Sequence, residues 1–397
     1  MTDIENIEKG DAMILLNAMN RNEVEWFLDN IIDKKEMKHK KKDIGDIAYR
    51  KYMNVIFQKI QQHEYALSDA GCANLCLGYL WSRTQNEREN PVELNNVLST
   101  LAPPIADILP ITKVYTEWGI WARETGNIVL AEEKFQCVID NCSNRIPAQT
   151  EMGRLLSKQK GRELEAEQYL LRSIMRNSRH LHSRTELGKL LAKQSGREKE
   201  AEEHLRAAIA INPKHLHSRI ELGKLLALQK GREGEAEQCL LEVLELDPNN
   251  LHAHTELGRL FAQQKGCEKE AEAYFRKAMN IYPNHLHSRT ELGMLLATQE
   301  GREGEAEQCF RDAFYIDPKH LHSRIELGRL LANQSGREEE AIECFHQVIS
   351  IDPGNFYAYY ELGIFWEKQQ GHECEAEFYL SKAAQTDLDR FNYLRMQ

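Results

Sequence analysis

The chain has 397 residues, 42% of them hydrophobic and 28% charged, with only 10 prolines and a net charge of −11. That balance reads as a mostly ordered, helix-friendly chain, and the acidic total argues against a general nucleic-acid or membrane-surface protein while leaving room for a local basic face. Nine scattered cysteines fit a reducing cytoplasm better than a disulfide framework, Met1 to Gly10 lacks the basic and apolar stretches of a secretory signal, and no apolar run reaches the length of a membrane span.

Residues 1–111 show no internal repeat. Asp11–Lys35, Ile44–Glu64 and Leu67–Arg83 have helical apolar spacing, and Pro103, Pro104 and Pro110 punctuate the junction that follows, which predicts a separate helical cap or docking region over 1–111. The run Lys34, Lys35, Lys38, His39, Lys40, Lys41 and Lys42 lies between two of those helices. It reads as a solvated helix end or loop ahead of a localisation or nucleic-acid patch. Cys72 and Cys76, one helical turn apart, read as packing residues.

From Thr112 to Arg390 one unit recurs. Its marker is Glu186-Leu187-Gly188, repeated at Gly223, Gly258, Gly293, Gly328 and Gly363 at a constant 35-residue interval. Weaker copies stand at Glu151-Met152-Gly153 and Glu117-Trp118-Gly119, so eight units are predicted over 112–390, with 391–397 left as a capping segment. Within a unit, Leu181, Leu187, Gly188 and Leu191 mark one helical stripe, Gly196 breaks the chain, and Ala201, Leu205 and Ala208 mark a second. Gly188 and Ala201 are small so that the two helices can approach closely. Asn212-Pro213, Asp247-Pro248, Tyr282-Pro283, Asp317-Pro318 and Asp352-Pro353 stop the second helix, because proline lacks the amide donor and disfavours helix in its predecessor. The acidic start of that helix, as in Glu198 and Glu200, suits the positive end of the helix dipole.

The unit resembles the tetratricopeptide repeat, most fully where Ala271, Phe275, Ala278 and Pro283 carry the second-helix signature. Two departures stand out: Gly-Arg-Glu replaces a shorter turn such as Gly126-Asn127, and Arg184, Arg219, Arg289 and Arg324 occupy the family's aromatic position. The resemblance implies an all-α, right-handed superhelical solenoid of helix-turn-helix repeats whose first helices line a concave groove. It places His182, His217, His252, His287, His322 and Tyr357 in that groove at the second position of each unit. Thr185, Ile220, Thr255, Thr290, Ile325 and Tyr360 follow at the fifth position, and Lys189, Lys224, Arg259 and Arg329 at the ninth. A basic inner face and a protein or acidic-peptide partner are therefore expected.

The His180-x-His182 pattern, repeated at His215/His217, His285/His287 and His320/His322, looks metal-like. Residues two apart on a helix point apart, whereas zinc needs nitrogen ligands converging at ~2.1 Å. The first histidine of each pair is expected at the helix start and the second in the groove. No phosphate loop, Gly-x-Ser-x-Gly or His-Glu-x-x-His occurs, so no catalytic residue, metal or cofactor is expected. A scaffold or adaptor is the leading reading. Nucleic-acid binding through the basic column and a regulatory subunit of an enzyme complex are the alternatives.

Overall fold

A computed structural model describes residues 67–81, 92–102, 104 and 109–395, with isolated positions at 24, 25, 28, 56, 57 and 60. The basic run at 34–42 and nearly all of the expected helices Asp11–Lys35 and Ile44–Glu64 lie outside the described residues. Every element among the described residues is an α-helix. The chain divides into two compact units, Met1–Asn212 and Pro213–Gln397.

In the first unit, α1 (Asp69–Trp81) and α2 (Val92–Leu101) precede the repeats. Three helix pairs follow: α3 (Leu109–Glu124) with α4 (Ile128–Asn141), α5 (Ile146–Leu156) with α6 (Glu163–Arg176), and α7 (Leu181–Leu191) with α8 (Glu198–Ile211). Helix α1 packs on α3 and buries Leu75, Leu77, Tyr79 and Leu80. The Trp118 indole donates to Asn95 Oδ1 at 3.1 Å, tying α3 to α2. Sequence spacing did not single out α2, which buries Leu94, Leu98 and Leu101. Pro110, read above as a breaker, lies in the first turn of α3, where a missing N–H costs nothing.

The second unit holds five pairs: α9 (Leu216–Ala227) with α10 (Glu233–Leu246), α11 (Leu251–Ala262) with α12 (Glu268–Ile281), α13 (Leu286–Ala297) with α14 (Glu303–Ile316), α15 (Leu321–Ala332) with α16 (Glu338–Ile351), and α17 (Phe356–Glu367) with α18 (Glu373–Thr386). A last helix, α19 (Leu388–Arg395), packs on α18. The second helices α10, α12, α14 and α16 bury the expected stripe, such as Ala271, Phe275 and Ala278 on α12. A Cβ placed on Gly258 would lie 2.6 Å from Cε1 of Phe275, and one on Gly188 would lie 2.6 Å from Cγ of Leu205. Close helix approach is the reason for the repeated glycine.

The Gly-Arg-Glu turn has a job for each residue. Gly196 adopts φ +85°, which a side chain resists. Its N–H donates to Glu198 Oε1 at 3.0 Å, so the acidic first residue of α8 closes the turn as well as meeting the dipole. Arg197 reaches back to Glu167 of the preceding pair at 2.6 Å and forward to Glu200 at 2.7 Å. The same staple recurs at Arg162, Arg302 and Arg337, bridging to Glu132, Glu272 and Glu307. The arginines that replace the family's aromatic hold the loop before their own helix: Arg289 donates to the Pro283 carbonyl at 2.6 Å and pairs with Asp312 at 3.0 Å.

Candidate functional site

The first helices present a repeated polar face, which begins at the helix caps. His180, His215, His285 and His320 are the N-caps of α7, α9, α13 and α15, each accepting the backbone N–H three residues on. The second histidine of each pair, at His182, His217, His287 and His322, is exposed on the first turn, as is His252. The paired rings sit 6.0–6.5 Å apart, edge-on or nearly so, with the cap ring turned to its serine.

One turn further along stands the repeated glutamate, and three residues after it the cation. Lys189 pairs with Glu186 at 3.3 Å in the first unit. In the second unit Lys224 pairs with Glu221 at 3.3 Å, and Arg259 with Glu256 at 3.3 Å and with Glu291 of the next repeat at 3.4 Å. Arg329 repeats that bridge, at 2.7 Å to Glu326 and 2.5 Å to Glu361. Histidines approach the same carboxylates: His287 lies 3.6 Å from Glu291 and His322 lies 3.8 Å from Glu326.

Burial holds the carboxyls of Glu291 and Glu326 above their ordinary range, against the pull of Arg259 and Arg329 respectively. Each of these rings keeps an open edge, but desolvation of its covered part, then Arg259, pushes His287 down to about 4, and the same desolvation lowers His322. Both rings are therefore neutral at pH 7. In the second unit the carboxylates of Glu221, Glu256, Glu291, Glu326 and Glu361 outnumber the cations Lys224, Arg259 and Arg329. The expected basic face is thus an ion-paired ladder of both signs. Sequence reading treated Glu-Leu-Gly as a register mark and missed its glutamate, although a glutamate three residues before each Lys or Arg was itself the signal for pairing.

Two further placements differ from expectation. The fifth-position residues Thr185, Ile220, Thr255, Thr290 and Ile325 are buried, turned into the helix contacts and away from the open face. Tyr360 is stacked on Phe356 at 5.6 Å, meets Phe391 of α19 edge-on at 6.3 Å, and its hydroxyl donates to the Leu394 carbonyl at 3.5 Å. Tyr357 lies under Arg390, 5.2 Å from the guanidinium. These two tyrosines serve the contact with the last helix, apart from the histidine column.

The arrangement defines an all-helical repeat protein carrying a polar, ion-paired face along its first helices. Tetratricopeptide repeat models match residues 192–260, and again 251–285, 286–320 and 321–355. Over those residues the chain is built of tetratricopeptide repeats. No curated protein matches it. Among solved structures it resembles a human IFIT1 dimer with PPP-AAAA at 16% identity and a TM-score of 0.53, covering 88% of this chain and 84% of that one. Human IFIT1 with m7Gppp-AAAA gives 15% identity, a TM-score of 0.54 and coverage of 88% and 85%. A tetratricopeptide-repeat protein of Thermus thermophilus matches over 47% of this chain and 98% of its own, at 21% identity and a TM-score of 0.43. Among the described residues no helix is long and apolar enough to cross a membrane.

Proposed function

We propose that this protein is a scaffold or adaptor that holds a segment of a partner protein along its first-helix face. The observation that carries this reading is the column of exposed histidines, His217, His252, His287 and His322, at equivalent positions of consecutive repeats, beside half-buried Lys224, Arg259 and Arg329, with Met294 at the cation position of the third repeat in that run. A periodic face offers the same polar groups at regular intervals, which suits an extended chain. In the first unit His182 and Lys189 hold the same places. Tyr357 and Tyr360 form the edge of the surface near α19. Acidic side chains of the partner meet Lys224, Arg259 and Arg329, but gain only what they add to existing ion pairs. The segment we propose is therefore mixed in charge, with acidic groups at the cations, and is not a polyanion.

The setting we propose is cytoplasmic, since an odd number of cysteines, nine, scattered without framework spacing suits a reducing compartment. No catalytic role is assigned to the face. The IFIT1 structures, solved with PPP-AAAA or m7Gppp-AAAA, raise nucleic acid as the second reading. The glutamate ladder weighs against it by repelling phosphates.

Affinity capture with the full chain and the triple variant Lys224→Gln, Arg259→Gln, Arg329→Gln tests the proposal. The variant is expected to recover the bound protein at least about tenfold less well. A control pair on exposed second-helix positions, Glu270→Gln with Glu339→Gln, leaves recovery unchanged. Loss of capture in the control alone places the partner on the second helices and overturns the reading. Recovery of RNA in place of protein favours the nucleic-acid alternative, and co-purification of an enzyme favours a regulatory subunit.

A further inference from the structure

Six first helices, α7, α9, α11, α13, α15 and α17, carry side-chain caps, of two kinds. Asn250 and Asn355 cap α11 and α17, where Oδ1 accepts from the N–H of Ala253 at 3.0 Å and of Ala358 at 3.2 Å. Four other first helices use histidine, and there the third residue on is serine. The Ser183, Ser218, Ser288 and Ser323 N–H groups donate to Nδ1 of His180, His215, His285 and His320 at 3.2–3.4 Å. Each serine Oγ lies 2.7–2.8 Å from the same Nδ1. All four serines are fully buried. Histidine thus travels with serine and asparagine with alanine, so each cap is a matched pair.

The two caps differ chemically in one respect. Asparagine offers an oxygen lone pair at every pH, whereas Nδ1 can accept an amide hydrogen only while it is unprotonated. Protonating the ring orphans the serine N–H and puts a positive charge at the positive end of the helix. The serine cannot turn away freely. Ser183 Oγ is also 2.6 Å from Ser173 Oγ of α6 and 2.7 Å from Thr150 Oγ1 of α5, and Ser288 Oγ is 2.8 Å from Thr255 Oγ1 of α11. The cap therefore joins a buried hydroxyl cluster linking successive repeats.

We propose that the histidine caps make the array acid-sensitive: as pH falls, α7, α9, α13 and α15 lose their caps together, while α11 and α17 keep theirs. The groups that face the caps mostly reinforce this. His182, His217 and His287 stand beside His180, His215 and His285 on their own helices. His252 of α11 faces His285 from the preceding repeat, 6.4 Å away, with Tyr282 at 6.5 Å. His322 adjoins His320, and Asp317 is the carboxylate that favours its charged form. Burial dominates at His180, His285 and His320 and holds each below the ordinary histidine value of 6.5. A lowered value means that the stabilisation is fully present above the ordinary range and is lost as pH falls through it and below.

Hydrogen exchange read by mass spectrometry tests this on the unmodified chain, with rates expressed as protection factors at about pH 7.5 and about pH 4.5, either side of histidine's ordinary range. Protection in α7, α9, α13 and α15 is expected to fall about tenfold more than in α11 and α17. The asparagine-capped helices carry the same repeated glutamate, at Glu256 and Glu361, so carboxylate titration is controlled within the molecule. Parallel loss in all six helices overturns the proposal. As a second arm, His285→Asn with Ser288→Ala copies the Asn250/Ala253 pair into α13. Its acid loss should vanish there and persist in α15. Persistence in α13 also overturns the proposal, and the wild-type comparison decides the matter if this variant does not fold.

Discussion

Gly258 and Gly234 both lie in helices and have opposite requirements. The Cβ of any other residue at 258 would meet the Phe275 ring at 2.6 Å, and a ring held between helices cannot step aside. Gly258→Leu is expected to lower stability by at least ~1–3 kcal/mol, read as a fall in the urea midpoint. Gly223→Leu should act in the same direction but less severely, since the nearest atom there is Leu240 Cγ at 2.9 Å. Gly234, in the first turn of α10, has nothing within 4 Å of its Cβ position. Gly234→Ala should raise stability, by up to about 0.5–1 kcal/mol, because alanine loses less backbone entropy and meets no neighbour. A loss at 234 would show that the first turn of α10 is not as open as its geometry.

At the scale of the element, the Gly-Arg-Glu turn joins a pair to the one before it at Arg162, Arg197, Arg302 and Arg337. Arg302 binds Glu272 at 2.6 Å, and this hydrogen-bonded partner brings the Glu272 carboxyl down to about 2. A depressed carboxylate stabilises the fold above its unfolded value of 4.5 and loses that contribution as pH falls from there towards 2. Arg302→Ala should thus lower the melting temperature at pH 7 and make little difference near pH 2. Two turns lack the arginine: His372 stands there in the last turn and Cys267 in the turn before α12, where no guanidinium is present to reach Glu237 of α10. Cys267→Arg is expected to gain ~0.2–1 kcal/mol, and the double variant with Glu237→Ala should lose that gain.

At the scale of the whole molecule, an array of near-identical pairs needs its last pair covered, because each pair otherwise leaves an apolar side for a neighbour. Helix α19 provides cover through Phe391 against Tyr360 and through Arg395, which binds Glu367 at 2.8 Å. Beside it remains a recess of about 580 Å³ lined in part by Trp366, Leu380, Ala384 and Phe391. Phe391→Asp should release α19 and lower exchange protection in α17 and α18, with α9 and α10 unaffected. Uniform loss across the second unit would mean that the unit unfolds as one cooperative body and that capping is not a local matter.

The sequence by itself determined the period, the helix pairs and their stops, the close approach at Gly188 and its equivalents, and the place of the first histidine of each pair. The pairs, their stops and the histidine caps depend on residues three, four or a few positions apart, whose geometry a helix dictates without help from the rest of the chain, and the period and the close approach follow from one unit copied in tandem. It also held the His-Glu-Lys spacing, though not its consequence. Only the tertiary structure decided that the cation column is neutralised, because Arg329 meets Glu361 across 32 residues and Arg259 meets Glu291 in the next repeat. Tertiary packing also turned Thr255 and Thr290 inward and placed α19 over Tyr360. Whether a charge or a ring stays open depends on which neighbour the stacking of pairs brings to it, and that neighbour lies beyond the reach of local periodicity.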